Sequence, residues 1–348
     1  MGSYLIRVLV GMTWFAIGLF WSPLAILGFV FMVVKNGPGG VKALLSAKPR
    51  TKLPEVGRNP RYIHEQVKTK SGVVLHCVQA GSKNNPLMLC MHGFPECWYG
   101  YHYVLDHFSD RFHVVAFDLR GYGDSDKPKS IGEYHIDYLM NDAQELVYAL
   151  GHQKATIVAN DWGGIIAWNI PHFFPEVVER LIVLNGPHDK AIQDFMKASW
   201  SQFFKSWYIF LFQLPWIPEL LISVMDDDDI NKSATGIQNP AKKLSRQELD
   251  MYKYSTEGNM THALNYYRAK NPLYVGLKLR CKTKVIKQPV LVIWGAKDPV
   301  LDKGMVPFHK KYVENLHVKI IEEASHMVLI DQPEQVHDAI EKFLEATK

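Results

Sequence analysis

The run Ala159-Asn160-Asp161-Trp162-Gly163-Gly164 holds the residue best suited to covalent chemistry. It follows KATIVA, which reads as a strand, and precedes IIAWNIPHFFPE, which has helical spacing. Small residues two before and two after a central side chain suit a tight strand-turn-helix elbow, where larger groups would clash. The central side chain then stands above the sheet at a helix N-terminus, where negative charge is favoured. Here it is an aspartate. A carboxylate attacking an acyl carbon gives an anhydride, a poor route to ester hydrolysis. Attack on a saturated carbon bearing a leaving group gives an ordinary alkyl ester. Strained epoxides and alkyl halides fit that chemistry. The competing reading is an aspartate that merely caps the helix, and the other motifs bear on that choice.

Four further segments follow in order. His92-Gly93-Phe94-Pro95-Glu96 comes after the apolar run LMLCM. Asp118-Leu119-Arg120-Gly121-Tyr122-Gly123-Asp124-Ser125-Asp126 comes after another such run. Ser206-Trp207-Tyr208-Ile209 and Leu264-Asn265-Tyr266-Tyr267-Arg268 lie in an aromatic stretch further on. With the Asp161 elbow, they make the chain resemble the epoxide hydrolase family of α/β-hydrolases, near its membrane-anchored type 3 and type 4 group. The likeness runs from about Arg61 to the C-terminus, and the apolar N-terminus suits the same group.

The resemblance implies an α/β-hydrolase fold: a mostly parallel eight-stranded sheet with a helical lid, preceded by a transmembrane helix. It implies that the backbone N–H groups of Phe94 and Trp162 form an oxyanion hole, with a cis bond before Pro95; His92 itself reads as structural rather than catalytic. It also implies that Tyr208 and Tyr267 receive the epoxide oxygen, with Tyr266 the alternative if the register slips by one. A phenol is neutral at pH 7 and donates a hydrogen bond, as a leaving alkoxide requires. Most other lid aromatics are expected only to pack. The DLRGYGDSD turn reads as structural, with Arg120 paired to Asp118; without GK[ST] it is no phosphate loop.

The general base should be a histidine after the last strand. Of fifteen histidines, His326, in ASHM after VKIIEE, has that position. Its acid partner should follow the preceding strand, and LVIWGAKDP supplies Asp298. The order nucleophile, acid, histidine is that of α/β-hydrolases. Asp302 and Asp189 are weaker rivals. No metal or cofactor is expected. Two rivals compete with a hydrolase of lipophilic epoxides: a haloalkane or haloacid dehalogenase, which shares the elbow but leaves the tyrosines unexplained, and an inactive membrane-bound interaction protein.

These residues need a sheet to carry them. Tyr62 to Val67 and Val73 to Val78 read as an edge pair. Leu87 to Met91, Val114 to Phe117, Ala155 to Ala159, Leu181 to Leu184, Val290 to Trp294 and Val318 to Ile321 are apolar runs of strand length, as buried parallel strands require. Gln144 to Leu150 and Val336 to Leu344 have helical spacing. The expected organisation is an anchor at 1–36, a linker at 37–60, core at 61–186, helical lid at 187–287 and core again at 288–348. Asp226 to Asp229 read as a solvated loop rather than a cation site.

Val8 to Val34 carries no charge and is long enough to cross a bilayer core of roughly 30 Å. It is too long for a cleaved signal; a helix lying in the membrane interface is the other alternative to an uncleaved anchor, and Pro23 could kink the helix or turn a hairpin. Basic residues crowd the C-terminal flank, from Lys35 to Arg58, which puts the catalytic side in the cytoplasm, with the endoplasmic reticulum the expected membrane. The sequons Asn231-Lys232-Ser233 and Asn259-Met260-Thr261 would matter only in a lumen. Net charge is only +4 over 348 residues, with no basic run, which excludes a nucleic-acid partner. The four cysteines show neither CxxC pairing nor metal spacing and are expected to be buried thiols.

Overall fold

The computed structural model describes residues 2–45, 51–223, 236–256, 258–275 and 284–348. Asp226 to Asp229, the Asn231 sequon and Cys281 lie outside them.

Eight strands form one sheet: β1 (Ile63–Lys68), β2 (Val74–Ala80), β3 (Leu87–Met91), β4 (His113–Phe117), β5 (Ala155–Asn160), β6 (Val178–Leu184), β7 (Val290–Gly295) and β8 (Leu316–Ile321). Their spatial order is β1-β2-β4-β3-β5-β6-β7-β8. The β1/β2 and β2/β4 pairs are antiparallel and the rest parallel. Every residue of β3, β4, β5 and β7 is buried. That is why these strands read as unbroken apolar runs: helices cover both faces, and two hydrophobic clusters lie on the two sides of the sheet.

The helices begin with α1 (Gly2–Leu45), α2 (His102–Phe108), α3 (Ile136–Ala149) and α4 (Asp161–Phe173). Between β6 and β7 come the lid helices α5 (Asp189–Ala198), α6 (Ser201–Lys205), α7 (Trp207–Leu211), α8 (Ile217–Ser223), α9 (Arg246–Thr256), α10 (Met260–Arg268) and α11 (Pro272–Val275). After β8, α12 (Val328–Asp331) and α13 (Pro333–Ala346) return to the core.

Three sequence expectations change. Pro23 neither kinks α1 nor turns a hairpin; the non-helical residue is Gly37 (φ 68°). Proline removes the donor that would meet the Leu19 carbonyl, and the Ser22 hydroxyl donates to that carbonyl instead, at 2.7 Å. The helix resumes beyond Gly37 to Leu45, across part of the expected linker. Arg120 does not pair with Asp118. It forks onto both oxygens of Asp142 on α3, each at 2.5 Å, while Asp118 turns to His76 on β2 at 2.8 Å. Neighbours in a tight turn point apart, so each buried charge finds its partner on a different element.

Candidate active site

Strand carboxyl ends along one edge of the sheet supply the reactive groups, as expected where a parallel sheet changes direction. The elbow after β5 is strained: Asp161 has φ 48°. Gly163 is obligatory there, because a Cβ would lie 2.1 Å from the Met91 carbonyl oxygen. Its N–H donates to the His92 carbonyl at 3.0 Å, locking the elbow to the loop after β3. That loop carries the cis Phe94–Pro95 bond. The Phe94 N–H donates to Asp161 Oδ1 at 2.8 Å. Trp162 follows in the first turn of α4, its ring buried against Tyr266 and Tyr267. His92 is structural: Nε2 accepts from the Leu119 N–H at 3.0 Å and Nδ1 donates to the Gly93 carbonyl, tying two loops together.

His326, after β8, reaches the same point. Its Nε2 lies 3.5 Å from Asp161 Oδ2 and its Nδ1 lies 2.7 Å from Asp298 Oδ2, after β7. Asp298 accepts the Nδ1 proton, which leaves Nε2 to face Asp161. Burial opposes charge on His326, but Asp298 and Asp161 overcome it and hold the imidazole well above its ordinary pKa. Burial likewise opposes charge on Asp298, and His326, Asn185 and the Leu301 N–H hold it below the usual carboxylate range. The Ser325 N–H, beside the histidine, donates to Asp331 at 2.7 Å and pins the loop.

The two lid tyrosines close the cavity over Asp161. Tyr208 (α7) and Tyr267 (α10) line it together with Asp161, His326 and Phe94. Their rings lie 6.0 Å apart, and Phe212 packs on both. Burial first, and the nearby Asp161 charge, push both phenols far above the ordinary value, so they remain protonated donors. Tyr266 points elsewhere; its hydroxyl donates to the Arg120 carbonyl at 2.8 Å. The cavity holds about 360 Å³, and its outer wall is apolar: Trp207, Leu211, Pro218, Leu221 and Ile222.

The rivals for the acid sit apart. Asp302 caps a 3-10 turn through the Gly304 N–H and accepts from Ser201. Asp189 opens α5.

Two groups escaped sequence reasoning. Asn185, at the end of β6, donates to Asp298 Oδ2 at 2.5 Å and accepts from the Gly295 N–H at 3.0 Å. It sits at φ 39°, and the Gly186-Pro187 that follows signals a turn without signalling a partner for its side chain. Glu96 is buried beside the Gly93 N–H, and burial together with Asp161 pushes its carboxyl up to about 7. Among the described residues no cluster of His, Cys, Asp and Glu could hold a metal ion.

Residues 86–333 match the family described as alpha/beta hydrolase fold. The chain is 41% identical to epoxide hydrolase 3 of Xenopus tropicalis over 81% of its length and 77% of that protein. It is 37% identical to human epoxide hydrolase 4, over 79% and 76%. A solved epoxide hydrolase of Bacillus megaterium, in complex with an inhibitor, superposes with a TM-score of 0.71 at 30% identity, covering 81% of this chain and all of that one.

Proposed function

Because this chain belongs to the epoxide hydrolase family of α/β-hydrolases, we propose that Asp161 opens a lipophilic epoxide and carries it as an ester until His326 directs water to release a vicinal diol. One observation carries the reading: a carboxylate with an N–H on one oxygen and an imidazole beside the other shares a cavity with two protonated phenols.

Asp161 Oδ2 attacks a ring carbon, that C–O bond breaks, and the departing oxygen takes hydrogen bonds and then a proton from the Tyr208 and Tyr267 side. His326 Nε2 then removes a proton from water, and the resulting hydroxide adds to the Asp161 carboxyl carbon. Charge gathers on Oδ1, already held by the Phe94 N–H, with the Trp162 N–H as second donor. Each such donor stabilises that charge by roughly 3–4 kcal/mol in a dry site. Collapse expels the diol oxygen, which takes its proton from the imidazolium, and the proton left on the Asp161 carboxyl returns to the tyrosinate, so carboxylate, imidazole and both phenols are restored. Asp298 keeps the imidazole in the required tautomer. The apolar wall supports a lipophilic substrate, and α1 is long and apolar enough to tether the enzyme to a bilayer.

Single turnover in H2¹⁸O tests the scheme. The first diol should carry unlabelled oxygen from Asp161, and the label should appear in the Asp161 peptide. Label going straight into the diol would mean direct attack by water. Halide release from alkyl halides, without diol from matched epoxides, would favour the dehalogenase.

A further inference from the structure

α1 does not stand clear of the catalytic domain. It lies along the lid, against α7, α8 and α11. The contact face recurs every seven residues as two interleaved rows: Arg7, Trp14 and Trp21, and Gly11, Gly18 and Ala25. The Arg7 guanidinium donates to the Pro272 carbonyl at 3.3 Å. Trp14 packs on Phe210 and Trp21 on Trp207. Gly11 and Gly18 admit no side chain: a Cβ would lie 2.2 Å from Leu273 Cγ and 2.4 Å from the Phe210 carbonyl oxygen. Ala25 joins Leu211 and Leu214 in a small core of its own.

The opposite side of α1 is apolar and bare. Leu5, Leu9, Met12, Leu19, Phe20, Leu27 and Phe31 are each more than half exposed. The lid continues this surface with Trp200, Phe204 and Trp216, the last 81% exposed. An aromatic chain joins the two, from Trp14 through Phe210 and Phe203 to Trp200.

Contact from Arg7 to Ala25 covers about 27 Å of helix at 1.5 Å per residue. That nearly equals the roughly 30 Å hydrocarbon core. A helix crossing the core upright would carry α7, α8 and α11 through the same depth, with the Arg268–Glu219 ion pair that joins α8 to α10. Lipid cannot satisfy such groups or irregular lid backbone. A helix lying in the interface meets neither penalty and wets only its bare apolar side.

We infer that α1 and the lid together form one in-plane membrane-docking face, seated in a single leaflet of a lipid bilayer, rather than a crossing helix with the catalytic domain beyond it. The cavity lies one layer behind that face: Trp207, Leu211 and Leu221 line the cavity and also belong to the surface that α1 packs on. An epoxide dissolved among acyl chains therefore enters from the bilayer without crossing water. This last step rests on the epoxide hydrolase reading; the seating of α1 does not.

The full chain with Cys281→Ser, carrying Tyr4→Cys or Glu314→Cys, would be synthesised into sealed microsomes, where every chain inserts in one orientation. Both positions are exposed. Labelling with a membrane-impermeant maleimide should give the two sites the same accessibility before detergent. One site reacting only after detergent would establish a crossing and overturn the proposal. A second arm replaces Phe204 and Trp216 by serine. Turnover of a long-chain epoxide carried in phosphatidylcholine vesicles should lose at least about fivefold through KM, while a short water-soluble epoxide is hydrolysed unchanged. Equal loss on both substrates, or on neither, would refute entry from lipid. An enzyme inert towards every epoxide would sink the proposed function and leave the labelling result intact.

Discussion

Replacing Asp298 by asparagine keeps the side-chain volume and changes one atom. Four donors converge on this carboxylate. Oδ1 accepts from the N–H groups of Val300 at 2.7 Å and Leu301 at 2.9 Å. Oδ2 accepts from Asn185 at 2.5 Å and His326 at 2.7 Å. An amide has one oxygen, so its NH2 group must face two donors whichever way it turns. Turned towards His326, it forces the imidazole proton from Nδ1 to Nε2, the nitrogen that must accept a proton from water. Two hydrogen bonds involving charge are lost, each about 1.5–3 kcal/mol. Together they amount to about 3–6 kcal/mol, or roughly 10² to 10⁴ in rate. The loss falls on ester hydrolysis, because ring opening needs no base. Rapid-quench single turnover, with mass analysis of the Asp161 peptide, should show ester forming within about tenfold of the parent rate and then persisting. A folded variant that releases diol at the parent rate would refute this account of Asp298. So would one in which ester formation falls as far as hydrolysis.

His326→Gln should form the ester and hold it, visible as an adduct on the Asp161 peptide. Tyr208→Phe and Tyr267→Phe should each slow ester formation by about 10- to 100-fold, since one phenol still donates, and the double variant by more than either; equal rates for the double and single variants would contradict a shared role. In the resting enzyme two carboxylates raise the His326 pKa. Esterification removes the Asp161 charge, so the pKa falls in the intermediate. A protonated imidazole cannot accept a proton, so hydrolysis fails as pH drops through that lower value. The acid limb of single-turnover hydrolysis should therefore lie below the His326 titration measured by NMR in resting enzyme; coincident midpoints would contradict the argument. Asp142→Ala strands the buried Arg120 guanidinium and should destabilise the fold by about 3–5 kcal/mol in urea unfolding, with little effect from Asp118→Asn on that same pair.

The elbow was legible because its small residues sit at fixed spacing about one central side chain. Position 163 admits only glycine, since a Cβ there would meet the Met91 carbonyl of the neighbouring strand. The strands of the sheet were legible for a related reason: burial on both faces leaves a run of apolar residues that no exposed segment tolerates. Chain order further limited which histidine and which aspartate could meet Asp161.

Other pairings across space were not legible. Arg120 lies two residues from Asp118 and twenty-two from Asp142, yet it chose the distant partner, because side-chain direction in a turn outweighs proximity along the chain. Asn185 completes the Asp298 site from the end of β6, more than a hundred residues away, a contact that no local run of residues signals. The N-terminus divides most sharply. Composition alone made the N-terminal helix long and apolar enough to cross a membrane, since transfer free energy sums over residues. How that helix lies was decided by packing, through small residues at 11, 18 and 25 that let it settle against the lid. Steric fit belongs to two surfaces at once, and the sequence lists each without saying which will meet.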